Sequence, residues 1–148
     1  MRFGAMTPGL VIEAGPRSVS AGEIIDFASR YDPQWFHVDP ARAAAGRWKG
    51  LIASGWHSCA IAMQLAVGAV LADSESIGSP GVEKLEWLEP VRPGDALRLL
   101  VEVLEARGSS SGRTGVVRWR WDLLNQHGVK VLVMTATSLF AIDSAASP

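Results

Sequence analysis

Apolar and polar positions divide the chain into a helical first half and an alternating second half. Ser20-Ala21-Gly22-Glu23 has the spacing of a capping box, with Ser20 as N-cap and Glu23 at the third helical position. Ile24, Ile25, Phe27 and Ala28 then supply the apolar face of a helix of about ten residues. Pro33 drives Asp32 out of helical geometry and ends that helix near Tyr31. Pro40 followed by Ala41 to Ala45 predicts a short helix with proline in its first turn and Asp39 as its cap. Between them, the prolines are expected to keep the segment from Tyr31 to Pro40 non-helical. Gly46 and Gly50 bracket a loop, and a long apolar helix is predicted from about Ala53 to Ala72.

Beyond Ser79-Pro80-Gly81 the period changes. Val82 to Leu88 predicts a strand, and Glu89 to Asp95 a turn-rich connection. Leu97, Leu99, Val101 and Val103 alternate, as do Val117, Trp119, Trp121 and Leu123, and again Val129, Val131 and Val133. Asn125-Gln126-His127-Gly128 reads as a hairpin turn with glycine placed for positive φ. The pattern therefore predicts helices first, the longest central, and then an antiparallel meander of three or four long strands. One helix cannot cover both faces of such a sheet and its edges stay open, so a homodimer is expected.

Composition narrows the class. With 148 residues, 48% apolar and 20% charged, the chain is expected to be one domain spanning residues 1–148. Fourteen basic and fifteen acidic residues leave a net charge of −1 with no run of like charge, which disfavours nucleic acid and anionic membrane as partners. The segment from Leu51 to Ala72 is long enough to resemble a membrane span, but Ser54, His57, Ser58 and Gln64 give it a polar stripe and basic anchors are missing. Met1-Arg2-Phe3-Gly4 precedes no apolar core of signal-peptide length. A lone cysteine, Cys59, excludes an intramolecular disulfide framework and suits a reducing cytoplasm, where it serves as a small buried residue.

The candidate chemistry lies in Tyr31-Asp32-Pro33-Gln34-Trp35-Phe36-His37-Val38-Asp39-Pro40 and in Gly50-Leu51-Ile52-Ala53-Ser54-Gly55-Trp56. Asp32 and His37 could hold and deprotonate water, while the amides at the helix start beside Ser54 and Gly55 polarise a carbonyl oxygen. Those are the parts needed to add water to a double bond conjugated with a carbonyl. Taken alone, Asp32 is equally a turn former and His37 a loop residue; the helix start tips the balance. Trp35 and Trp56 flank the pair and are expected to line its pocket, whereas Trp119 and Trp121 belong to a core or a subunit interface. His57, one turn beyond Ser54, faces the site or fills the polar stripe, the second being favoured; His127 is expected in solvent. His37-Val38-Asp39 has no second histidine at ligand spacing and no cysteine pair, so no metal is expected. Gly108 to Gly115 looks like a phosphate loop but runs into a strand-like segment, and a hairpin connection fits better.

Asp32 through Pro40 and Gly50 through His57 resemble the MaoC-like dehydratases, the group containing (R)-specific enoyl-CoA hydratases. The resemblance rests on an aspartate and a histidine five residues apart, Asp39, the alanine-rich helix from Ala41 to Ala45, and Gly50-Leu51-Ile52-Ala53-Ser54-Gly55 at the start of the central helix. Pro90-Val91-Arg92-Pro93-Gly94-Asp95 adds a similar turn, so the likeness covers roughly residues 18 to 140. Gln34 stands where asparagine is usual, and Ser54 where histidine is common. The resemblance implies an α+β hotdog fold, an antiparallel sheet wrapped around a long central helix. It also implies that Asp32 and His37 bind one water, which adds to C3 of a trans-2-enoyl thioester, and that the Gly55 N–H binds the thioester oxygen. Coenzyme A or an acyl carrier is then part of the substrate, and no cofactor is needed. Two alternatives remain: a non-catalytic acyl-CoA-binding hotdog protein, and a hotdog thioesterase. The second is disfavoured because no Asp or Glu lies between Gly50 and Ala72.

Overall fold

The capping box at Ser20 forms: its hydroxyl accepts the Glu23 N–H, and the Glu23 carboxylate accepts the Ser20 N–H. The helix it starts, α1 (Ala21–Tyr31), delivers Asp32 at its C-terminus, where φ of −154° takes the backbone out of the helix. The computed structural model describes residues 1–142. Contrary to expectation, the chain after Gln34 turns helical again in α2 (Trp35–Val38), which carries His37. Pro33 restricts only the residue before it and Pro40 follows the turn, so the four residues between are free to close it. The Asp39 N–H seals it on the Trp35 carbonyl at 2.9 Å. Asp39 then caps α3 (Pro40–Ala45) by accepting the Arg42 N–H.

The central helix α4 (Gly55–Ala66) continues through wider, π-type turns over Val67–Leu71. Around it runs an antiparallel sheet of β1 (Val11–Ser18), β2 (Ser76–Trp87), β3 (Ala96–Gly108), β4 (Thr114–Leu124) and β5 (Lys130–Ala141), in the order β1-β3-β4-β5-β2. Leu97, Leu99, Val101 and Val103 of β3 and Val117, Trp119, Trp121 and Leu123 of β4 point inward as their alternation predicts, and pack with Ile61, Ala62 and Ala66 of α4. This is the α+β hotdog architecture. Ser109 bridges to Thr114 in the hairpin that joins β3 and β4, and Gly128, at φ 73°, turns the chain between β4 and β5. His127 lies exposed in that turn.

Three further expectations change. β1 is an additional strand: Pro16 interrupts its alternation and its register with β3 slips between Ala14 and Arg17, which an edge strand tolerates. β5 has the other phase. Opposite Leu123 and Leu124 stand Leu132 and Lys130, so Val131 is an extra, bulged residue that flips every later side chain. Leu132, Met134 and Ala136 therefore face the core, Val133 does not, and Val129 is exposed. Finally, the polar stripe of α4 divides. Ser54, His57 and Ser58 are buried against the fold and Gln64 is exposed, while the outward side shows Trp56, Met63 and Val67, at 58%, 46% and 41% exposure. Among the described residues no helix is long and apolar enough to cross a membrane.

Candidate active site

The two ends of the short α1–α2 connection bring Asp32 and His37 face to face. His37 Nε2 lies 3.3 Å from Asp32 Oδ2. On the far side of the ring, Nδ1 sits 2.7 Å from the Ile52 carbonyl, which can only accept, so Nδ1 carries the proton. In a neutral ring Nε2 is then a lone pair aimed at the carboxylate, and a protonated ring places an N–H there instead. Ile52 is itself pinned by its N–H to the Phe36 carbonyl at 3.2 Å, and Ala53 by its N–H to Val91 at 2.8 Å. The imidazole is thus oriented by backbone whose own position is held on two sides.

Asp32 is held as firmly. Ser54 Oγ donates to Oδ2 at 2.7 Å and Gln34 Nε2 donates to Oδ1 at 2.8 Å. Burial works against ionisation, but the hydrogen bonds from Ser54 and Gln34 and the facing His37 outweigh it, and the carboxyl lies below its ordinary value. Its ionised form therefore persists to lower pH than in a free aspartate. Ser54 also caps α4, accepting the Trp56 N–H at 3.2 Å. One hydroxyl thus links the acid to the helix start. The Gly55 N–H, one residue earlier, has no acceptor among the described residues, and Gly55 lines the cavity.

That cavity measures about 390 Å³ and is lined by Asp32, His37 and Gly55, with Trp48, Trp56 and Trp87 among its apolar lining. The structure gathers only some of the residues that the sequence nominated. Asp32, His37, Gly55 and Trp56 come together. Ser54 is fully buried behind the carboxylate, where it bonds Asp32, and does not line the cavity. Trp35 packs edge-on against Phe36 beneath the Arg42 guanidinium and is not part of the wall either. His57 turns away to stack on Phe27 at 4.7 Å; burial holds its ring below the ordinary value, with Glu23 opposing. Cys59 is half-buried, and burial pushes its thiol up. Among the described residues no group of three His, Cys, Asp or Glu side chains converges to hold a metal.

Trp48 and Trp87 were not singled out by the sequence. Trp87 ends an exposed strand and reaches the helix start only by tertiary closure, its Nε1 donating to the Gly55 carbonyl at 2.8 Å.

Comparison with known proteins agrees with the fold. The model of the MaoC-like domain matches residues 5–120. The structure of a MaoC-like dehydratase from Rhodospirillum rubrum is 35% identical, with a TM-score of 0.86 over 95% of this chain and 96% of that one. An unliganded (R)-hydratase from Pseudomonas aeruginosa is 26% identical, with a TM-score of 0.75 over 99% of this chain and 92% of that one. Mesaconyl-CoA hydratase of Cereibacter sphaeroides is 32% identical over 82% of this chain, which spans 35% of that enzyme's length.

Proposed function

Because the chain belongs to the MaoC-like domain family, we propose that it is a hydro-lyase that reversibly hydrates a trans-2-enoyl thioester of coenzyme A or an acyl carrier to the (R)-3-hydroxyacyl thioester. The observation that carries this is the Asp32–His37 pair, 3.3 Å apart at the cavity wall with the imidazole tautomer set by Ile52.

A carboxylate and an imidazole lone pair are both acceptors, and a water molecule offers each of them a hydrogen. His37 Nε2 takes one proton from that water as its oxygen bonds C3. The C2=C3 electron pair moves toward the thioester, whose oxygen gains charge. The Gly55 N–H at the head of α4 stabilises that charge, a role worth about 3 kcal/mol for one such donor. The imidazolium, held against the Asp32 carboxylate, returns its proton to C2, and the elements of water have been added without any other reactant. Ser54 and Gln34 keep Asp32 ionised for this task. Hydration of crotonyl-CoA by the purified protein, followed as loss of the enoyl-thioester ultraviolet absorbance, tests the proposal; no loss at micromolar enzyme over an hour would count against it.

We further propose that the working unit is a homodimer joined through the open edge of β2. That strand is exposed along nearly its whole length and displays Ile77 and Val82, and an unpaired edge of this kind invites a second strand. Light scattering at micromolar concentration is expected to return twice the chain mass; a monomer's mass would count against the pairing.

A further inference from the structure

The geometry points to Trp87 as a positioning residue that fixes the direction of the Gly55 N–H, an assignment that rests on enoyl-thioester hydration being the reaction. Glycine is the residue with the greatest backbone freedom, and here it stands at the first position of α4, where no preceding turn restrains it. An amide that must meet a developing oxyanion needs a fixed direction. The Gly55 N–H lies in the Ser54–Gly55 peptide, and holding the next peptide, which joins Gly55 to Trp56, removes the rotation about Gly55 through which that amide would otherwise turn. That peptide is held at both ends. Its carbonyl accepts Trp87 Nε1 at 2.8 Å, and its N–H donates to Ser54 Oγ at 3.2 Å.

The indole also rests on Gly55 itself. A Cβ at that position would lie 2.6 Å from Trp87 Cε2 and Nε1, so the ring occupies the space a side chain would need. Trp56 braces it edge-on at 5.2 Å between ring centres. From below, Trp87 is paired with Leu132 in the sheet, and Leu88 N–H bonds the Val131 carbonyl at 3.0 Å. The sheet thus reaches over to the helix start through one ring nitrogen. A residue that only filled space would not need that donor.

Trp87→Phe keeps an aromatic ring and removes the donor. Its kcat on crotonyl-CoA is expected to fall about tenfold, less than the loss of an oxyanion donor outright, while KM stays within about twofold, because orientation of the amide matters more as charge develops than in the ground state. Trp87→His, which keeps a ring N–H on a smaller side chain, is expected to recover at least a third of the wild-type kcat. Binding of butyryl-CoA, which has no double bond to hydrate, is measured alongside to show that each variant is folded and its pocket intact. Wild-type kcat in Trp87→Phe would overturn the assignment, as would a loss carried by KM alone. Trp87→His no faster than Trp87→Phe would assign the effect to the bulk of the indole and overturn it too. A wild-type protein that binds butyryl-CoA and hydrates no enoyl thioester would instead remove the hydration proposal, and the role of Trp87 with it.

Discussion

Asp32→Asn and His37→Asn are each expected to lower kcat for enoyl-CoA hydration by about 10²- to 10⁴-fold, the range over which a positioned acid or base acts. The double variant should be little slower than the slower single one. On the proposed mechanism the two side chains share one water, Nε2 and Oδ2 being only 3.3 Å apart, so removing either disables both. Losses that multiply would show two independent contributions and dismantle the pair as a device. Melting temperatures belong beside the kinetics, since Asp32→Asn would offer Ser54 Oγ a neutral acceptor in place of a carboxylate. A pH profile adds a sign. The Asp32 carboxyl is held below its ordinary value, so activity that needs its carboxylate is present in full above the ordinary range and is lost only as pH falls through the lowered value. An acid limb of kcat/KM that sits above the ordinary aspartate range would assign that limb to another group.

Gly55→Val is expected to lose turnover by at least about 100-fold, comparable to losing an oxyanion donor, and to melt at a lower temperature than the wild type. Helix propensity alone points the other way, since valine is a better helix former than glycine by a few tenths of a kcal/mol. The structure reverses the sign because the new Cβ would enter the Trp87 indole at 2.6 Å. Either the ring moves off the Gly55 carbonyl or the first turn of α4 shifts, and overpacking of this kind costs about 1–3 kcal/mol. A thermal melt and steady-state hydration on the same sample decide it. A Gly55→Val protein that is as stable and as active as wild type would take Gly55, and the amide it carries, out of the site.

Much of this molecule is set by neighbours within four residues of one another, and those parts are legible in the chain. The Ser20–Glu23 capping box, the Asp39 cap on α3 and the Gly128 turn are all closed by local hydrogen bonds. The five-residue separation of Asp32 and His37 is likewise read directly from the chain. The alternation of β3 and β4 is legible for a related reason: strand period is a property of the backbone, and these strands keep one register with the core along the part that carries their alternating apolar residues. Where the chain departs from such local rules, tertiary structure decides. The bulge at Val131 inverts the phase of β5 because a partner strand, not β5 itself, sets the register. His37 is oriented by Ile52, fifteen residues on, Asp32 by Ser54, twenty-two residues on, and Gly55 by Trp87, thirty-two residues on. Residue type and spacing could nominate the acid, the base and the glycine. Only closure of the sheet over α4 could show that Ser54 stands behind the acid and that Trp87 leans on the glycine, because a hydrogen bond between distant segments has no local trace in either.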